Sequence, residues 1–163
     1  MYTALIIQSI LASYALLHRG THGVTYWARV LENELCIAEA TGVNIQVVTL
    51  FALFHDSRQQ NEHTDHGHGL RGAEFAHGLR GSLIHLSDTE FDLLYEACRL
   101  HTSGLTEGDA TLQACWDADR LDLLRVGIRP APHKLCTNAA RKLLPWANKR
   151  ANEHDEPELV AGV

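Results

Sequence analysis

The 163-residue sequence has no run of basic residues interleaved with aromatics, and its 14 Lys+Arg are outnumbered by 20 Asp+Glu, a formal charge of -6. The footprint of a phosphate backbone is missing, so no nucleic-acid polymer is expected as a partner. No stretch reaches the roughly 18 uninterrupted apolar residues that span a bilayer, so no membrane partner is expected either. The opening MYTALIIQSILASYALL lacks a basic leading segment and carries internal polar residues, which favours a first core helix over a secretion signal. Cysteine is sparse: Cys36, Cys98, Cys115 and Cys136 form no CxxC pair and lie in apolar, helix-like surroundings. They are expected to be reduced thiols acting as small hydrophobes in a cytoplasmic protein. Alternating β-branched runs bounded by turn residues are scarce, and neither a repeat nor an interdomain linker is visible. This length suits one domain with a proper core.

What remains is a chain whose apolar residues recur every three or four positions, the pattern of an all-α fold. Helices are expected over Tyr2 to Leu17 and His22 to Ala40, the second ending at Thr41-Gly42. Asn44 can cap a third, IQVVTLFALFHD, apolar all round and therefore central, although its valines also allow a strand. Residues Ser57 to Gly67 are polar and aperiodic, a loop; a helix resumes near His68. Ser87 or Asp88 starts a further helix ending near His101, and Asp109 caps another that stops near Gly127. IRPAPHK should be irregular because of its prolines. The last helix, Leu135 to Ala151, is expected to be interrupted by Pro145, and residues 151–163 to form a flexible tail after a 1–150 domain. Trp27, Trp116 and Trp146 are expected to anchor the core.

The chemistry gathers in LFALFHDSRQQNEHTDHGHGLRGAEFAHG, Leu50 to Gly78, with its His-Asp pair and further histidines. Neighbours on a helix diverge by about 100°, so His55 and Asp56 can grip one ion only at a helix end, where the sequence puts them. Imidazole nitrogen with carboxylate oxygen suits a borderline divalent metal. Further ligands would come from His22, His68, His101 and Asp117 or Asp119, with His18 and His66 as rivals for His22 and His68. His101 also suits a purely structural role at a helix C-terminus. His63, His66 and His77 suit a solvated segment, and His85, His133 and His154 structural or exposed positions.

The order H, HD, H, H, D, in THGVTYWARV, FALFHDSR, HGLRGAEFA, CRLHTSG and DADRLDLLR, resembles the HD superfamily of metal-dependent phosphohydrolases from about Thr21 to Arg125. The resemblance implies a single helical bundle of six to seven helices. It implies a first ion held by His22, His55, Asp56 and Asp119, the Asp of ADRLD being favoured over Asp117. A second ion would be held by Asp56, His68 and His101. Mn, Fe, Co, Ni or Zn would suit, one or two per chain. A shared water would attack a small phosphorylated substrate, a nucleotide among the candidates. Arg58 and Arg71 are expected to neutralise phosphate charge. The chain departs from the phosphodiesterase branch, having Thr102 after His101 and no GYP; it has Tyr26 where many relatives carry His. A metal-binding sensor without turnover and a di-iron oxygenase on the same scaffold are the alternatives; oligomeric state is not legible.

Overall fold

Asn44 starts the element around which the others assemble: its side chain accepts from the backbone N–H groups of Gln46 and Val47, supplying partners that a helix start otherwise lacks. The computed structural model describes residues 3–153. From Asn44 runs α3 (Ile45–Phe54). Every residue of α3 from Val47 to Phe54 except Thr49 is buried, as its all-round apolar sequence requires. Around it pack α2 (Val24–Thr41), α5 (Asp88–Leu100) and α6 (Ala110–Leu121), while α4 (His68–Gly78) packs on α3 and α5. The first helix, α1 (Thr3–Leu11), adds Ile6, Ile7 and Ile10 to the core, and α7 (Asn138–Glu153) lies on α6 and α2. Seven α-helices and two short 3-10 turns, with no strand among the described residues, make an all-α bundle.

Local signals set several boundaries where expected. Ser87 and Glu90 form a reciprocal capping box at the start of α5, Asp109 caps α6, and Gly42, at φ 72°, closes α2 in the left-handed conformation.

Elsewhere the structure corrects the expectation. The first helix stops at Leu11, not Leu17, because tertiary contacts take over: Arg58 donates to the Ile10 carbonyl and Tyr14 donates to the His22 carbonyl. Residues 12–23 form turns, and the second helix starts at Val24 rather than His22. The helix before Gly127 ends at Leu121 and continues only as a 3-10 turn, Leu123–Val126. Within IRPAPHK, Pro132–Lys134 form a short 3-10 turn. Pro145 does not interrupt α7; burial of Ala140, Leu144 and Ala147 against the core carries the helix past the lost N–H donor. Residues 151–153 belong to α7; the rest of the expected tail, with His154, lies outside the described residues. Trp27 and Trp116 are buried, whereas Trp146 is 39% exposed, with the Arg150 guanidinium 4.5 Å from its ring centroid.

Two glycines bring α4 close enough to deliver its first residue, His68, to the centre. A Cβ on Gly72 would stand 2.2 Å from the Phe54 carbonyl oxygen, and one on Gly69 would stand 2.3 Å from the Cys98 carbonyl oxygen. Neither backbone oxygen can yield without moving a helix. Gly72→Ala should therefore destabilise the fold by about 1–3 kcal/mol in urea denaturation, the scale of an overpacked core. An unchanged midpoint would show that α4 can shift freely.

Candidate metal centre

His55, helical in backbone, is the C-cap residue of α3 and Asp56 follows it in a turn, with His55 Nε2 3.9 Å from Asp56 Oδ1. Both are buried. Asp56 is the hub around which four histidine side chains gather. Its Oδ2 lies 2.9 Å from His22 Nδ1, and its Oδ1 lies 3.1 Å from His68 Nε2, 3.3 Å from His101 Nε2 and 3.9 Å from His55 Nε2. One donor atom from each of Asp56, His68 and His101 falls within 4.8 Å of the others, a group able to hold a metal ion.

The hydrogen bonds around this group decide what it fits. His68 Nδ1 lies 2.6 Å from the Asp65 carbonyl and His101 Nδ1 lies 2.7 Å from the Cys98 carbonyl. A carbonyl only accepts, so each Nδ1 carries the hydrogen and each neutral ring turns a lone pair inward from Nε2. Those two Nε2 atoms face each other at 2.9 Å beside a carboxylate. Three acceptors so placed call for a proton or a metal cation between them, and the donor set of two imidazoles and a carboxylate fits a divalent transition metal. His101 thus combines the two roles its sequence position allows, holding a helix-end carbonyl with one nitrogen and facing Asp56 with the other.

The charges respond to this packing. Burial pushes the Asp56 carboxyl up, but the surrounding imidazoles outweigh it and hold it well below the usual carboxylate range. Burial lowers His68, and the Asp56 and Asp65 contacts overcome that and raise it. His55, fully buried, is pushed down to about 4.

A cleft of about 400 Å³ opens onto the hub, lined in part by His22, Tyr26, Asp56, His68, His101 and Asp119. Asp119 faces this cleft, while Asp117 turns away and accepts from the backbone N–H groups of Cys136 and Thr137 and from the Thr137 hydroxyl. His66 and His63 line the outer cleft and are exposed; His18 is exposed beside Tyr14. His77, His85 and His133 are exposed.

Arg58 and Arg71 do not stand among the lining residues. The Arg58 guanidinium lies 3.4 Å from the Phe75 ring centroid and donates to the Ile10 and Ser57 carbonyls. Arg71 pairs with Asp65 at 2.6 Å and donates to the Arg58 carbonyl, tying the loop that positions His68.

Two lining residues were not among the expected site residues. Tyr26, buried in α2, places its hydroxyl 2.5 Å from Asp119 Oδ1 and 2.9 Å from His55 Nε2. Arg125 lies with its guanidinium 3.4 Å from the Tyr26 ring centroid. Only the fold joins them, because α2 and the turn after α6 are distant in sequence. Glu34, also unforeseen, is fully buried, and burial pushes its carboxyl well up.

No protein-family model matches the sequence, and no curated protein matches it. The structure is similar to the crystal structure of a protein described as a predicted HD superfamily hydrolase, from an uncultured Thermotogales bacterium. That protein is 24% identical, with a TM-score of 0.72 over 92% of this chain and 87% of the other. The superposition extends over nearly all of both chains, and with it the seven helices around the His55-Asp56 turn take their place as an HD-domain fold.

Proposed function

We propose that the protein is a metal-dependent phosphohydrolase acting on a small phosphorylated substrate, with nucleotides among the candidates. The observation that carries this reading is the inward-facing donor set of Asp56, His68 and His101 at the base of an open cleft. The similar structure's description as a predicted hydrolase agrees with it. A divalent metal bound there supplies a water of lowered pKa and polarises a phosphoryl oxygen.

The chain's own residues do the rest. The Asp65 and Cys98 carbonyls hold His68 and His101 in one tautomer, and His22 orients Asp56 through its Nδ1 contact. Arg125 brings the cleft a fixed positive charge; its Nε donates to the Thr21 carbonyl and Nη1 to the Asp122 carbonyl. It is better placed than Arg58 or Arg71 to meet an anionic substrate. Leu123 and Val126 give the same wall an apolar stretch for the rest of the molecule. The four cysteines are all free thiols, and no helix among the described residues is long and apolar enough to cross a membrane; a cytoplasmic location is part of the proposal.

Protein loaded with Mn, Co or Ni should hydrolyse p-nitrophenyl phosphate or its bis ester, and chelator should abolish the turnover. Metal-loaded protein inactive across a broad phosphoester panel would instead indicate a binding or sensor module. Oxygen consumption with a coloured iron form and no phosphate release would indicate the oxygenase alternative.

A further inference from the structure

We infer that the Tyr26 phenol oxygen is a metal ligand of this centre and that His22, despite its place in the sequence pattern, is a positioning residue. The inference rests on the reading of the site as a metal centre. His22 presents Nδ1 to Asp56 Oδ2 at 2.9 Å and Nε2 to Glu62 Oε2 at 3.9 Å. Nδ1 is thus held on Asp56, whereas the Nε2 contact is beyond hydrogen-bond reach and Glu62 is exposed.

Tyr26 stands where His22 does not reach. Its oxygen bridges His55 Nε2 and Asp119 Oδ1, two residues of the first-ion set. His55 Nδ1 lies 3.1 Å from the Phe51 carbonyl, so its hydrogen belongs on that nitrogen and Nε2 turns a lone pair towards Tyr26. The hydroxyl has one hydrogen for two acceptors. If it points to Asp119, the phenol oxygen and His55 Nε2 face each other as lone pairs; if it points to His55, the phenol oxygen faces the carboxylate in the same way. A cation bound by all three oxygen and nitrogen donors removes that conflict, as for His68 and His101.

Without an ion, burial and the Asp119 carboxylate keep the Tyr26 phenol protonated, and the Arg125 guanidinium opposes them. The Arg125 guanidinium covers the Tyr26 ring face at 3.4 Å from its centroid, attracting a phenolate more strongly than a phenol. On binding, the phenol O–H bond breaks and the oxygen keeps the electron pair for the ion. The proton leaves through the cleft, and nothing is oxidised or reduced. Tyr26 then serves with His55 and Asp119 as a hard, anionic donor, which suits iron and manganese better than softer ions.

The test is optical and separable from catalysis. The full chain, stripped with chelator and reloaded with ferric iron, should show a phenolate-to-iron charge-transfer band in the visible and phenolate ring modes in its resonance Raman spectrum. Tyr26→Phe should lose both while still binding iron through the remaining donors, with affinity reduced at least about tenfold. His22→Gln and Tyr14→Phe should keep the band. Iron bound by the wild type without the band, or a band surviving in Tyr26→Phe, would overturn the assignment; the wild-type spectrum decides even if the variant fails to fold. Absence of bound iron, manganese or cobalt in the wild type would overturn the metal-centre reading itself.

Discussion

Replacing Asp56 with alanine should strip the metal from the protein and reduce phosphoester turnover by about 10³-fold or more, the scale of removing a principal electrostatic group from an active site. Four imidazoles surround this one carboxylate, at 2.9 to 3.9 Å, and no other carboxylate among the described residues is in the three-residue metal group. Without it, His68 and His101 keep their carbonyl bonds but face each other with no anion to balance a shared ion. His22→Ala should do less, because His22 reaches the centre only through Asp56; a loss of about 10- to 100-fold in metal affinity is expected. Metal content by plasma mass spectrometry, measured beside turnover for both variants, checks the order. If His22→Ala were the more damaging change, Asp56 would not be the hub.

The same hub explains which residues could be found from the sequence. His55 and Asp56 follow the most apolar helix of the chain, and His68, His101 and Asp119 occur in the expected order, each near a helix end or on the cleft face. Helix starts at Asn44, Ser87 and Asp109 were legible because their caps are local side-chain bonds. The end of α1 was not, because Arg58 of a distant segment donates to the Ile10 carbonyl in its last turn. The setting of Arg58 was hidden for the same reason: its proximity to the His-Asp pair along the chain says nothing of the Phe75 ring on which it stacks. Tyr26 and Arg125 are separated by about a hundred residues, and their contact exists only once α2 and α6 have packed. Glycines 69 and 72 are where α4 meets the backbones of α5 and α3, a closeness that only the packed helices reveal.

The metal-free protein should be most stable near pH 6.5 with respect to the two shifted histidines of the centre, and should lose about 3 kcal/mol on acidification to pH 4. His55 drives the acid side. In the unfolded chain it takes a proton near 6.5, whereas burial pushes the folded value down to about 4. Between those values the unfolded state binds more protons, so stability falls as pH falls, by about 1.4 kcal/mol per unit of the difference. His68 acts on the opposite side. Its folded value is raised, so its contribution is fully present below 6.5 and is lost as pH rises through the raised value. Asp56, held low, adds stability above the usual carboxylate value and loses it only below 3.8. Urea denaturation in chelator, at half-unit steps from pH 4 to 8, measures the profile. His55→Gln should flatten the limb between pH 6.5 and 4 while leaving the alkaline limb. An equally steep acid limb in that variant would mean that groups other than the buried imidazole control acid unfolding.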